Sequence, residues 1–385
     1  MIRWNRCPLF LQIACHEFRA IATRYSVLLV LVGGVFVYGF LYNYMYAPNV
    51  VREVPVAVVD HSHTALSREY VRLLDATPDA SVVHHAQDML EAKQMMLSAQ
   101  VYGIVYLPRD FEERMLRGEV SVYPFYATTD AFLYYEALER ANLEVMEAMD
   151  GEYRTQLTEF LSLGGLASVT TQSPVTVVGT ALYNPIEGYG IYLIPSVLII
   201  IVFQTLMMLV AMTSNRMSES ALLASYGDDA LSLVCGKSLT YALLYGIFSF
   251  FLMGLLPLLF EIPHYASWGE LVVLLVPYIF ATSFLGLALS RWYADAEAPI
   301  LLIAFFSIGF IFLSGVSYPI ELIPWPWRIA HYLVPAAPAV LAYVQMSCMD
   351  ATLHDVRPQL LALGAQMVVY FAWAVATYRR KTNYR

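Results

Sequence analysis

The sequence predicts an α-helical membrane protein with six transmembrane helices and an inserted α/β domain on the extracytoplasmic side. Three observations predict it. First, residues 25–45, 188–215, 238–260, 271–290, 298–320 and 358–378 contain no Asp, Glu, Lys or Arg. Each stretch is long enough to cross roughly 30 Å of hydrocarbon, which takes about 20 helical residues. Second, 59% of the 385 residues are hydrophobic and only 14% are charged, with a mean hydropathy of +0.57, a composition that excludes an ordinary soluble globular chain. Third, the net charge of −9 is uneven: residues 48–187 hold 20 acidic against 9 basic side chains, while the first 47 residues carry a net +3. The acidic insert is the water-facing part.

In chain order, residues 1–24 read as a cytoplasmic interfacial helix, with Leu9, Phe10, Ile13, Ala14, Phe18 and Ile21 toward acyl chains and Gln12, His16 and Arg19 toward headgroups. The span 25–45 follows. Its apolar stretch exceeds that of a signal peptide and lacks a clear small-x-small cleavage site, so it reads as a retained anchor. Arg3, Arg6, Arg19, Arg24, Arg216, Lys237, Arg291, Arg379, Arg380 and Lys381 all flank spans on one side. Retention of cationic flanks in the cytoplasm then places both termini inside and the insert outside. The predicted location is a cell (inner) membrane, multi-pass.

The insert, 48–187, reads as alternating strands and helices. Val54–Val59 is β-branched and ends at Asp60-His-Ser-His63, and Leu66, Tyr70, Leu73 and Leu74 then recur at helical spacing. Ala80–Val83 is a second strand, followed by a helix that Asp88 caps. Residues 101–107 form a third strand, Pro108–Gly118 a short helix, Val120–Tyr126 a fourth strand and Tyr134–Phe160 a long helical arm. These elements predict a compact α/β domain with its sheet covered on at least one face. His61, His63, His84 and His85 are read as loop residues at strand ends and not as a metal site, because no acidic partner at fixed helical spacing accompanies them. The insert has no Cys, so neither a disulfide framework nor a Cys-based zinc site supports it.

Residues 188–378 form the five-helix part. Its cytoplasmic loop, 213–237, contains a short helical stretch from Glu219 to Ser225 and is longer than a turn requires, which points to docking of a soluble partner. The segment 313–338 carries Pro319, Pro324, Pro326, Pro335 and Pro338, which prevent one continuous helix, beside Trp325, Trp327 and Tyr332, which suit the lipid–water boundary. It reads as an external re-entrant segment, with Gly315, Pro319, Pro324 and Trp325 as its characteristic residues. A short tail, 379–385, returns to the cytoplasm. No charged residue sits in the middle of a span as drawn, and hence there is no sign of a proton relay.

The order of one span, a large external domain and five spans resembles the type-2 ATP-binding-cassette exporter permeases, in the branch with a large extracytoplasmic domain between the first and second helices. The stretches that carry the resemblance are Val56–Asp60 with Ser67-Arg68, Gly103–Phe111, Tyr183-Asn-Pro185 leading to Ile194-Pro195, Arg216–Lys237, and Leu313–Pro338. The resemblance implies a permease subunit that pairs with a second permease, the same chain or a related one, engages a cytoplasmic ATPase and exports a hydrophobic or amphipathic substrate such as a drug, lipid or lipid-linked molecule. It implies Arg216, Met217, Glu219, Leu222 and Leu223 as the coupling residues, with Ser220-Ala221 where the family usually has Gly-Thr. ATP and Mg would be bound by the partner ATPase. This chain binds no cofactor of its own, since Gly236-Lys237-Ser238 lacks the upstream glycines of a phosphate-binding loop. Tyr189, Tyr192, Phe203, Met207, Phe305, Phe306 and Phe310 are the candidate substrate path, with Met208 and Phe312 beside them, although such residues commonly only pack helices. The competing reading is a membrane-anchored receptor or envelope assembly factor acting through its external domain, which one span would suffice to tether. An intramembrane enzyme finds no support in catalytic motifs, and no nucleic acid is expected as a partner.

Overall fold

The computed structural model describes residues 8–46, 50–116, 125–128, 133–163, 188–214, 229–260, 262, 264–290, 292–293 and 297–379. The chain divides into two units, Val50–Ala181 and a second made of Met1–Asn49 with Leu182–Arg385. The expected Gly118 cap, the first part of the predicted fourth strand, Tyr183-Asn-Pro185 and the residues beyond Arg379 lie outside the described residues.

In the unit Val50–Ala181, β1 (Val54–Asp60) is followed by helix α3 (Ala65–Ala76), β2 (Ala80–His85), α4 (Met89–Leu97), β3 (Gly103–Leu107), α5 (Phe111–Leu116), β4 (Phe125–Thr128) and the long α6 (Leu133–Leu163). The sheet order is β2-β1-β3-β4, with β1 parallel to both neighbours and β4 antiparallel to β3. Val54, Val56 and Val58 pack with Tyr70 and Leu74 of α3 and Ala137 and Leu138 of α6; Ala57 and Val59 pack with Ala92 of α4 on the opposite face. Burial on both faces is why β1 is apolar throughout and not alternating. Asp88 caps α4 as expected, accepting from the Glu91 amide at 2.8 Å. Helix α3 is capped by Thr64 and Ser67 in a reciprocal box, and the Ser67 hydroxyl donates to Asp60 Oδ2 at 2.7 Å, tying the end of β1 to the start of the helix. His61 stands edge-on to Tyr106, while His63, His84 and His85 are exposed. Among the described residues no group of three or more His, Cys, Asp or Glu is placed to hold a metal ion.

The second unit is a helical bundle. Helix α1 (Leu9–Thr23) is followed by α2 (Tyr25–Met45), α7 (Tyr189–Thr213), α8 (Ala230–Leu259), α9 (Trp268–Ser290), α10 (Glu297–Phe305), α11 (Ser307–Leu313), α12 (Trp325–His331), α13 (Ala336–Cys348) and α14 (Arg357–Arg379). Of these, α2, α7, α8, α9 and α14 are each long and apolar enough to cross a membrane, and the pair α12 and α13, bent by 81°, makes a sixth candidate if counted as one span. Two boundaries depart from the sequence expectation. The stretch 298–320 is not one helix but α10 and α11, separated at Phe306, whose ψ of 2° lies outside the helical well. The third span begins at Ala230 and not at Ser238, because Asp229 accepts from the Leu231 amide at 3.1 Å and starts the helix there. Lys237 therefore lies inside a span and not in its flank.

Proline kinks set the bundle's internal polar contacts. Pro195 in α7 and Pro257 in α8 have no N–H, so the carbonyls four residues earlier, Ile191 and Met253, lose their helical donors. Helix α13 supplies both replacements: Cys348 Sγ donates to the Ile191 carbonyl at 3.3 Å and the Tyr343 hydroxyl to the Met253 carbonyl at 3.1 Å. The break between α12 and α13 is served in turn by α14, where Gln366 Nε2 donates to the Tyr332 carbonyl at 2.8 Å and the Tyr370 hydroxyl donates to the Leu333 carbonyl. Irregular backbone is thus satisfied by protein, as a low-dielectric surrounding demands. Gly315 takes a left-handed φ of +85° where α11 gives way to the 319–324 turn.

Candidate functional site

Three chain segments converge where α7 ends, α8 begins and α1 crosses them. On α1, Ile13, Glu17 and Ile21 recur every four residues and so share one face, all of it buried. The expected apolar face is thereby divided. Ile13, Ala14 and Ile21 pack inward, whereas Phe10 and Phe18 remain exposed and Glu17 takes the inward position between the two isoleucines. The crossing is close because residue 236 is glycine, where a Cβ would stand 2.5 Å from the Phe10 carbonyl oxygen and 2.9 Å from Ile13 Cβ. One turn on, the Thr240 hydroxyl donates to the Ala14 carbonyl at 2.9 Å.

Closeness at that point brings Glu17 against Lys237 and Tyr241, one turn apart on α8. The Lys237 ammonium lies 3.5 Å from Glu17 Oε2, with the two side chains 0% and 2% exposed. Lys237 Nζ also donates to Ser214 Oγ at 2.7 Å and to the Thr213 carbonyl at 3.3 Å. The Tyr241 hydroxyl donates to Glu17 Oε1 at 2.6 Å and sits 2.7 Å from Thr213 Oγ1 and 3.2 Å from Ser214 Oγ. An isolated buried charge costs several kcal/mol, but here each charge has an opposite partner and hydroxyl ligands. The ammonium also occupies the C-terminal end of α7, where unpaired carbonyls favour a cation; Arg24 Nη1 adds a 3.4 Å contact to the Met212 carbonyl. At the other root, the Asp229 carboxyl is held below the usual carboxylate range, chiefly by the Ser232 hydroxyl donating to it.

The cluster ties Thr213 and Ser214, where α7 ends, to α1 and to α8 at Lys237 and Tyr241, about two to three turns past Asp229. This arrangement suits transmission of a displacement better than chemistry, since its charged groups are consumed by one another. Glu17, Tyr241, Thr213 and Ser214 are absent from the residues that the sequence singled out for a role, and Lys237 entered only as a flanking charge, the end of the 213–237 loop and part of a rejected phosphate-loop match. The readable signal is Glu17 interrupting the Ile13/Ile21 stripe.

The five expected coupling residues, Arg216, Met217, Glu219, Leu222 and Leu223, lie outside the described residues, in the connection that follows Ser214. The expected substrate-path residues do not come together in one chain. Phe203 and Phe310 meet edge to face at 5.1 Å, and Met207 is buried nearby on α7, its sulfur 3.3 Å from where a Cβ on Gly286 would stand. Phe305 and Phe306 pack on each other and face outward, Phe305 being 82% exposed. Tyr189 leans on Tyr46 instead, and the side chain of Tyr192 is outside the described residues. Of the re-entrant residues, Pro319 and Pro324 precede the short 320–322 turn and α12, and Trp325 is exposed at the start of α12. His331 is buried with Nδ1 2.8 Å from the Leu313 carbonyl, closing the segment from α11 to α12.

Residues 25–376 match the family model described as ABC-2 family transporter protein. No curated protein and no solved structure matches the chain.

Proposed function

Because the chain belongs to the ABC-2 transporter family, as a multi-pass membrane subunit that works with an ATPase and is not itself the ATPase, we propose that it is the permease of an exporter that moves a hydrophobic or amphipathic substrate outward. The observation that carries this reading is the buried Glu17–Lys237–Tyr241 cluster, which locks the α7 end of the 214–229 connection to α1 and α8. A loop that must receive force from a soluble motor needs stiff roots, and a desolvated, fully partnered ion pair is a stiff joint.

In this reading both termini and the loop are cytoplasmic, and the α/β unit projects from the opposite face of the inner membrane. Arg216, Met217, Glu219, Leu222 and Leu223 meet the ATPase. ATP, with Mg, closes the ATPase pair, the loop is displaced, and the cluster carries that displacement to α1, α7 and α8 together. The outward faces of α10 and α11, with Leu301 and Phe305 one turn apart and Ile308 and Phe312 likewise, support a seam with a second permease. Of the expected path residues, Phe203 and Met207 are buried and Phe310 is part-exposed, so cargo without fixed charge would meet Phe310 and the exposed faces of α10 and α11 first. A nucleotide-driven cycle shifts such an equilibrium only through contacts that differ between its states, and the loop contacts are those.

Co-purification of an ATPase from native membranes, followed by reconstitution in vesicles, tests the reading. Glu219→Arg is expected to leave insertion intact and abolish substrate-stimulated ATP hydrolysis. Normal stimulation in that variant removes Glu219 from the coupling contact, and the absence of any co-purifying ATPase counts against the permease assignment as a whole.

A further inference from the structure

Helix α2 is not α-helical throughout. Its middle, Leu29–Val37, is a π-helix, in which amides reach five residues back instead of four. A second, shorter π segment, Phe251–Leu255, lies in α8 ahead of Pro257, where the Leu256 amide donates to the Phe251 carbonyl. The two segments meet. The Phe36 ring lies 4.9 Å from that of Phe251 and 5.5 Å from that of Phe248, and a Cβ on Gly39, just past the first segment, would stand 2.5 Å from Leu252 Cδ2.

The burial pattern of α2 explains its π segment. Val27, Leu31, Val35, Gly39 and Asn43 are its buried residues, and they recur every four positions. At 3.6 residues per turn a step of four overshoots by about 40°, so an α-helix would carry Asn43 about 160° round the axis from Val27. A π-helix turns less per residue and brings Gly39 and Asn43 back to the buried side. Leu29–Val37 thus holds surplus chain that α-helical bonding would release as rotation. Two features keep that release within reach. Helix α2 is the least buried of the five candidate spans, so few neighbours must repack when it turns. Asn43 is wholly buried, yet its Oδ1 accepts no hydrogen bond while its Nδ2 donates to the Gly39 carbonyl at 2.7 Å, and an unpaired buried acceptor weakens the register that holds it.

We propose that Leu29–Val37 is a register switch: as the ATPase displaces the α7–α8 connection, the segment passes from π to α bonding and Tyr38–Met45 turns about its axis. Asn43 then faces outward, and Leu41 and Met45, which lie about 200° from it at 100° per residue and are exposed in this structure, face the bundle. The contacts that differ between the two registers, as any such shift requires, are those of Phe36 and Gly39 on Phe251 and Leu252. These belong to α8, which the ion pair joins to α1 and α7. The trigger rests on the ATPase-coupled reading above; the surplus chain in α2 does not.

Deletion of Gly33, a mid-segment position where a Cβ would meet nothing within 4 Å, tests the surplus in the full chain alone. A helix one residue shorter there needs less π bonding to bring Gly39 and Asn43 inward, so the variant should purify folded, with an unfolding midpoint near that of the parent. Deletion of Val273, exposed on the wholly α-helical α9, meets no such slack and should unfold the chain. Equal damage by the two deletions overturns the proposal. The switch is read from nitroxides on Leu41→Cys, Met45→Cys and Leu29→Cys, in vesicles with the co-purified ATPase and with the native cysteines replaced by serine. On addition of ATP and Mg the first two should lose contact with oxygen dissolved in the bilayer, and the third, where the segment begins, should keep it. Unchanged contact at 41 and 45 while ATP is hydrolysed overturns the switch and leaves the permease reading standing. Absence of any bound ATPase removes that reading and the trigger with it, and the two deletions then decide the surplus alone.

Discussion

The Tyr343 hydroxyl donates to the Met253 carbonyl across 3.1 Å, and that carbonyl is the one that Pro257 deprives of its own helical donor. The side chain of one helix thereby completes the backbone of another at its kink. Interhelical hydrogen bonds in membranes average about 0.6 kcal/mol and reach about 1.7. Tyr343→Phe is therefore expected to lower stability by an amount in this range in the native background. In a Pro257→Ala background the same change should cost less, because the alanine restores a backbone N–H that can donate to the Met253 carbonyl. Unfolding in detergent of the four variants measures the coupling, and equal losses in both backgrounds would separate Tyr343 from the kink.

Glu17 and Lys237 present the same logic with charges. Removing one partner of a buried pair leaves the other uncompensated, at about 3–5 kcal/mol, whereas replacing both with apolar residues is often near neutral. Lys237→Met alone should thus destabilise the full chain strongly, and Glu17→Leu with Lys237→Met should recover much of the loss. Recovery of fold without recovery of substrate-stimulated ATPase activity in the assembled complex would identify the pair as a positioning device for the loop. If the double variant is no more stable than Lys237→Met, the two charges are not partners.

These two contacts mark where legibility in the sequence ends. An uncharged run of twenty residues leaves few options other than a span, so α2, α7, α9 and α14 could be read within a few residues of their ends. The start of α8 could not, because Asp229 and Lys237 read as loop chemistry when the partners that neutralise or use them are unseen. Glu17 and Tyr241 are 224 residues apart, and nothing local in either segment announces the other. In the α/β unit the succession of strands and helices was legible, but the order β2-β1-β3-β4 was not, and the second covered face was left open although the unbroken apolar run Val54–Val59 is the pattern of a strand buried on both sides. The coupling residues rest on family resemblance, and the substrate-path aromatics were grouped by residue type, which carries no information on the side of the helix they occupy.

Glycine tells a similar story through two positions on α8. A Cβ at Gly236 would stand 2.5 Å from the Phe10 carbonyl oxygen, while a Cβ at Gly246 meets nothing within 4 Å. Gly246→Ala should be neutral or stabilising by up to about 1 kcal/mol, from helix propensity. Gly236→Ala must push α1 away, loosening the Thr240 contact and exposing the half-buried Cys15. Maleimide labelling of Cys15, in a chain whose other cysteines are replaced, should accelerate in Gly236→Ala and not in Gly246→Ala. Equal labelling rates would show that the crossing does not depend on the glycine.

Acid provides a separate lever at His264, which lies between α8 and α9 with its ring 6.1 Å from that of Tyr343. Burial holds its pKa below the ordinary 6.5, with backbone hydrogen bonds offsetting only part of the effect. The native state accordingly binds this proton less readily than the unfolded chain does. Its contribution to stability is complete above about pH 6.5 and is lost as pH falls through the lowered native value. His264→Phe, which keeps a ring beside Tyr343 and removes the titration, should narrow the gap in unfolding midpoint between pH 7.5 and pH 5.5. An unchanged gap would assign the acid sensitivity of the fold to other groups.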